Sequence, residues 1–212
     1  MHKLQRGAAP ACLVRYQHGR DNWSAVSRDD KVEIWRELEL MQGARCAYCE
    51  GEIADGSRHI EHFRQKGRDA TVTFLWSNLF GSCNREDSCG KHKDSCGAYN
   101  PGDLLKPDVD DADDYFIFVS DGSIAPRADL DAARIQRAEE TLRIFNLAAQ
   151  HGALRQRRRV AVLGHLHTVE ALSELAELDP NNEIQWQQWL ESELQATAHL
   201  PFATAIRHAL VG

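Results

Sequence analysis

Cysteine, histidine and carboxylate side chains crowd into one stretch of this chain, residues 46 to 93. Cys46 and Cys49 stand two residues apart, a spacing that lets both thiolates reach one ion. Cys83 and Cys89 are the preferred second pair, because the loop between them is shorter than one closed through Cys96. Cys96 lies within reach as a substitute for either. Four thiolates around one ion read as a structural Zn2+ site. His59 and His92 could each replace a thiolate, but four nearby cysteines make that unnecessary. Cys12 has no companion and is expected to be buried and inert.

The second chemical feature is the dipeptide Glu61-His62, at the end of an expected strand over 59–63 with Arg64 and Lys66 just beyond it. Phosphodiester hydrolysis needs an activated water, a divalent ion on the scissile phosphate and stabilisation of the leaving oxygen. An imidazole can take the proton from water. A carboxylate can hold Mg2+, which prefers oxygen ligands. Neighbouring strand residues face opposite sides, so Glu61 and His62 share a site only if the strand bends or the ion sits over its end.

The elements that must position these groups follow from pattern. Ser27 reads as an N-cap with Asp30 three residues on. Val32, Trp35, Leu38 and Met41 repeat at helical spacing, which predicts an amphipathic helix over 28–41 ended by Gly43. From Gly43 to about Lys106 turn residues and cysteines replace helical periodicity, so a metal is expected to organise the stretch. Tyr115 to Val119 is a short apolar strand, and Asp121-Gly122 predicts a hairpin turn. The acids Asp108, Asp110, Asp111, Asp113 and Asp114 before it read as a solvated loop in preference to a Ca2+ site.

After Pro126 the chain reads as helical. Ile135, Ala138, Leu142, Phe145 and Ala149 form one stripe, broken at His151-Gly152. A second helix is expected from Leu154 to about Leu178, with Arg155, Arg157, Arg158 and Arg159 preferred as a solvated face over a phosphate or partner contact. Glu183 to Gln195 places Trp186, Trp189, Leu190 and Leu194 on one face, read as core. Pro201 is expected to start a last short helix. The organisation expected is a basic arm and helix (1–43), a metal-organised core (44–125) and a helical region (126–212) suited to binding a partner. The first residues, with Lys3, Arg6 and Arg15, read as a solubilising tail or as an irregular arm tracking phosphate.

Bulk properties narrow the class. The chain has 212 residues, 42% hydrophobic and 27% charged, ordinary values for a soluble globular protein. No apolar run approaches the roughly 20 residues that span a bilayer, and the N-terminus lacks a secretory h-region, so a cytoplasmic location is expected, with no membrane association. Cysteines in a reducing compartment favour metal over disulfides. A formal charge of −7, with 25 Lys and Arg against 32 Asp and Glu, is unfavourable for gripping nucleic acid unaided, and points to a partner that supplies substrate affinity.

Cys-x-x-Cys, Glu-His, Asn78-Leu79 and Cys…Cys-x-x-x-Lys in this order resemble HNH endonucleases. More narrowly, His59-Ile60-Glu61-His62-Phe63-Arg64-x-Lys66, Trp76-Ser77-Asn78-Leu79-Phe80-Gly81-Ser82-Cys83 and Cys89-Gly90-x-x-Lys93-Asp94 resemble the PtuB-type HNH nucleases of Septu anti-phage systems, also found as retron effectors. The resemblance covers residues 30 to 160. It implies an α+β fold: a zinc-braced, treble-clef-like ββα-metal core flanked by an N-terminal helix and a C-terminal helical region. It further implies a Mg2+- or Mn2+-dependent endonuclease in anti-phage defence, acting on DNA or on RNA such as tRNA. The partners implied are a PtuA-like ABC/SMC-type ATPase and, in retron versions, a reverse transcriptase with its msDNA.

By the same resemblance His62 is the general base, Glu61 a metal ligand where many members have Asp, and Asn78 the brace of the loop orienting His62. The family's further ligand, a His or Asn on the helix near the second Cys pair, is replaced here by Gly90, which cannot serve. His92 and Asp94 are the candidates to take its place, and Lys93 matches a family lysine expected to touch phosphate. The alternative reading is a zinc module that keeps the fold without the chemistry and binds nucleic acid or the ATPase.

Overall fold

The computed structural model describes residues 1–150, 152–178 and 183–211. Helix α1 (Arg28–Gln42) begins where Ser27 accepts a hydrogen bond from the Asp30 backbone N–H and ends at Gly43, whose φ of 64° lies in the left-handed region that glycine tolerates. Its buried apolar face is Ile34, Leu38 and Met41; Val32, expected on that face, is exposed. The three-residue repeat drifts around a 3.6-residue helix, and Ile34, not Val32, stands one turn before Leu38.

Strand β1 (Arg58–His62) pairs antiparallel with β2 (Leu79–Cys83), with Glu61 opposite Phe80 and His62 opposite Leu79. Helix α2 (Cys89–Ser95) follows and packs on β2, giving a strand–strand–helix unit. A second hairpin, β3 (Phe116–Phe118) with β4 (Ile124–Pro126), turns at Asp121-Gly122. Gly122 has φ 83°, and a Cβ there would collide with the Arg155 carbonyl, so the turn packs directly on a helix backbone.

The remaining helices are α3 (Ala132–Phe145), α4 (Ala153–Leu163), α5 (Leu166–Leu178), α6 (Glu183–Thr197) and α7 (Ala203–Val211). Three boundaries differ from expectation. α3 stops at Asn146, in the left-handed conformation, where two N–H bonds close the helix end; of the expected break, His151 lies outside the described residues. The stretch expected as one helix divides at Gly164-His165, which lets α4 and α5 each pack on α7. Pro201 lies in the turn before α7 and does not begin it.

The three expected segments share one continuous core that runs from Met1 to Ala205, with a satellite of Leu172, Ile206 and Leu210. Tyr48 stacks on Phe145 at 4.2 Å, tying the turn between Cys46 and Cys49 to α3. The first residues are no free arm: Met1, Leu4 and Leu13 are buried, Arg6 pairs with Asp108 and Arg15 with Asp30. The acidic stretch is likewise anchored, Asp110 to Arg137 and Asp113 to Arg207. The Arg-rich helix presents no uniform solvated face: Arg158 is buried and donates to the Gly122 and Leu147 carbonyls, and Arg155 pairs with Asp121. On α6, Trp189, Leu190 and Leu194 are half-buried against the satellite cluster. Among the described residues no helix is long and apolar enough to cross a membrane.

Candidate functional site

Cys46 and Cys49 sit in the tight turn after α1, closed by Glu50 N–H donating to the Cys46 carbonyl and Cys46 N–H to that of Gly51. Cys83 ends β2 and Cys89 opens α2 at a positive φ of 59°. Their four Sγ atoms lie within 4.8 Å of one another, and all four residues are buried. Gly51 N–H donates to Cys49 Sγ at 3.4 Å, which a thiolate favours. Burial alone would raise the Cys46 thiol, but hydrogen bonds from Cys49, Cys83 and Cys89 outweigh it and bring Cys46 well below an ordinary thiol. Bonded to that sulfur, Cys49 and Cys89 are pushed up. Four converging buried sulfurs that cannot all ionise without a cation among them fit Zn2+. Cys96 stands apart, 3.7 Å from His92 Nδ1, and Cys12 is buried with its thiol pushed up to about 11, chiefly by desolvation.

The Glu50 carboxylate fastens this turn to both ends of the described chain. It accepts from Thr204 N–H at 2.9 Å and Thr204 Oγ1 at 2.6 Å and pairs with the Met1 amino group at 2.5 Å. Burial raises such a group, yet the Met1 ammonium and His2 bring it down to about 2.

Above the sulfur cluster, β1 carries Glu61 and His62 to the wall of a 360 Å³ cleft that His59, Lys66, Arg68 and Asp94 also line. Glu61 is 2% exposed. Its Oε1 stands 2.7 Å from Lys93 Nζ and its Oε2 3.0 Å from His59 Nε2. Lys93 is wholly buried, and its ammonium also donates to the His62 carbonyl at 3.0 Å and meets Asp94 Oδ1 at 2.9 Å. Burial works against its proton, but Glu61 and Asp94 outweigh that and Lys93 titrates above an ordinary lysine. The lysine expected to touch phosphate is therefore an internal counter-ion.

His62 is packed edge-on against Trp23, centroids 4.5 Å apart, and its Nε2 lies 3.0 Å from the Thr73 carbonyl. A carbonyl only accepts, so Nε2 carries the hydrogen and the lone pair of the neutral ring is on Nδ1. Desolvation, with Lys66 nearby, lowers His62 to about 3, so the ring is neutral at pH 7. Asn78 clasps the loop between His62 and Thr73: its Oδ1 accepts from Arg64 N–H at 2.7 Å, and its Nδ2 donates to the Arg64 and Val72 carbonyls. A cavity of 580 Å³ adjoins the cleft across Gln65 and Arg68.

The structure thus brings Glu61, His62 and Asp94 together and leaves His92 out. His92 Nδ1 turns to the Ile144 carbonyl at the end of α3, 2.9 Å away. Positions 90 and 92 are two residues apart, about 200° around a helix, so a side chain at 92 cannot replace one at 90. At Gly90 itself a Cβ would lie 2.5 Å from Glu61 Oε2, so the space a helix ligand would use is filled by the carboxylate. Asp94 lies on the cleft but is held by Lys93 and Gln65. Of Glu61, His92 and Asp94, only the outer oxygen of Glu61 is therefore open to a catalytic divalent ion. Sequence reasoning weighed His59 only as a substitute zinc ligand and missed Thr73; alternate residues share a strand face, and that spacing already places His59 beside Glu61.

Comparison of the chain with models of known protein families and with curated proteins finds no match in either.

Proposed function

We propose that the chain is a metal-dependent nucleic-acid endonuclease of the HNH kind, with a structural zinc beneath its active site. The observation that carries this reading is the neutral His62 imidazole, its lone pair fixed on Nδ1, lining one cleft with the Glu61 carboxylate on a strand–strand–helix unit built over four cysteines. His62 accepts a proton from water at Nδ1, and the Thr73 carbonyl holds the ring in the tautomer that permits it. The low basicity of His62 in the free protein is offset when a phosphodiester binds, because a nearby negative charge favours the imidazolium. Lys66 and Arg68 at the cleft rim draw phosphate in. Asn78 keeps the loop that carries the Thr73 carbonyl in place, and Lys93 fixes Glu61. A divalent cation held by Glu61 would supply charge neutralisation at the scissile phosphate and the departing oxygen.

The role in anti-phage defence, and a PtuA-like ATPase as partner, rest on the motif resemblance and on the charge of −7. A protein that binds nucleic acid weakly stays quiet until a complex delivers the substrate. The competing reading is a binding module without chemistry, favoured by the turn of His92 away from the cleft. The test incubates zinc-loaded wild type and His62→Ala with supercoiled plasmid and with total tRNA, in Mg2+ or Mn2+, with and without a PtuA-like ATPase. Cleavage lost in the mutant supports the nuclease and names its polymer. No cleavage of either substrate under any of these conditions moves the binding module to the front.

A further inference from the structure

His59 Nδ1 stands 2.9 Å from Asn84 Oδ1. The orientation of that amide is fixed from its other side, where Nδ2 donates to the Gly56 carbonyl at 3.3 Å. The Asn84 oxygen can only accept, so Nδ1 of His59 carries the hydrogen and Nε2 of the neutral ring is a bare lone pair. That lone pair faces Glu61 Oε2 at 3.0 Å, and Oε2 is also an acceptor. Without a metal this contact is closed by a proton on Nε2: desolvation works against that proton, but Glu61 and Asn84 favour it strongly enough to raise His59, and a metal ion would take the proton's place.

We propose that His59 Nε2 and Glu61 Oε2 together bind a divalent first-row metal ion, Mn2+ by preference over Mg2+, at the mouth of the cleft. Two donors each about 2.1 Å from an octahedral ion, at right angles, stand about 3.0 Å apart, the separation seen here. An imidazole ligand that passes its other ring hydrogen to a side-chain oxygen is the usual outer-shell arrangement at metal sites, and Asn84 supplies it. Lys93 holds Oε1, which leaves Oε2 as the free donor, and the absence of a Cβ at Gly90 gives that carboxylate its room. His59 is 24% exposed, so the outer positions of the ion are open to water and a phosphate oxygen. One nitrogen among oxygen donors favours Mn2+ and its later neighbours over Mg2+.

This deepens the nuclease reading and rests on it for what the ion does; whether the ion binds is read separately. The full chain with its zinc in place is titrated with Mn2+, and free Mn2+ is followed by electron paramagnetic resonance. Wild type is expected to take up one Mn2+, with imidazole nitrogen modulation in the pulsed spectrum of the bound ion. His59→Ala is expected to lose the nitrogen signal and weaken binding at least tenfold, and Asn84→Ala to weaken it about tenfold with the signal retained. His92→Ala should bind as wild type does, and unchanged zinc content and melting temperature show that each variant is folded. No Mn2+ uptake by wild type, uptake without nitrogen modulation, or uptake unaffected by His59→Ala would overturn the site. The last outcome together with Mn2+-dependent cleavage leaves the nuclease reading standing. Mn2+ bound through His59 with neither plasmid nor tRNA cut supports the site and counts against the nuclease.

Discussion

Gly90 and Glu61 occupy each other's space: the Cβ that glycine lacks would stand 2.5 Å from Glu61 Oε2. The carboxylate reaches the cleft only because the second residue of α2 has no side chain. Glu61 has nowhere to retreat, since Lys93 lies on its other oxygen.

Gly90→Ala tests this opposition directly. In an open helix the exchange would stabilise by up to about 1 kcal/mol through propensity. Here the methyl forces Glu61 off its position, and overpacking of this kind costs about 1–3 kcal/mol. The expected outcome is a net loss of stability in urea denaturation, together with loss of Mn2+ uptake. A variant as stable as wild type that still binds Mn2+ would show that the carboxylate has room to move.

The buried pair of Lys93 and Glu61 gives the second prediction. Removing one partner leaves the other charged and unpaired in the interior, a loss of about 3–5 kcal/mol. Lys93→Met and Glu61→Gln should each destabilise the fold, Lys93→Met more, because Lys93 also donates to the His62 carbonyl and meets Asp94. The double variant should be less damaged than the sum of the two. A double-mutant cycle from denaturation curves reads the coupling, and additive effects would refute the pairing.

Much of this arrangement is legible in the sequence, and the reasons differ by element. Ser27 and Gly43 mark the ends of α1 because caps are local chemistry, and Cys-x-x-Cys declares a metal pair because its spacing alone brings two sulfurs together. The break at Gly164 is not legible. One glycine in a periodic stretch costs about 1 kcal/mol and does not by itself stop a helix; the packing of α4 and α5 on α7 decides it. The role of Lys93 is hidden for a similar reason, since a lysine next to an aspartate in sequence reads as surface until the strand beneath it supplies a carboxylate. The facing of His59 and Glu61 was legible from strand alternation, and the turn of His92 from helix geometry, once Cys89 is fixed on the sulfur cluster.

Zinc should be inseparable from the fold. The sulfur cluster lies where β2, α2 and the turn after α1 meet, and the Glu50 clasp on Thr204 begins one residue beyond Cys49. One zinc per chain is expected by release with a thiol reagent and a chromogenic chelator. Cys46→Ser, Cys49→Ser, Cys83→Ser and Cys89→Ser should each lower the zinc content and the melting temperature, while Cys12→Ser and Cys96→Ser retain the ion. Chelation of wild type should broaden or abolish the melting transition. Full zinc content in Cys89→Ser but loss in Cys96→Ser would show that the second pair had been misassigned.

The two cysteines outside the cluster should differ in their response to pH. Cys12 is wholly buried against Asp30 and Glu33, and desolvation with those two carboxylates pushes its thiol up to about 11. Only the thiolate attacks an alkylating or disulfide reagent. With a pKa of about 11, about one Cys12 in a thousand is ionised at pH 8, and the fraction rises about tenfold for each pH unit above that. Cys96, half-exposed at the end of α2, has no comparable burial. In zinc-loaded protein at pH 8, iodoacetamide should therefore modify Cys96 first and leave Cys12 untouched, as read by peptide mass spectrometry. Labelling of Cys12 should appear only as the pH is raised toward 10. Equal labelling of both at pH 8 would mean that the N-terminal segment opens away from α1 faster than the reagent acts, and that the burial of Cys12 gives it no protection.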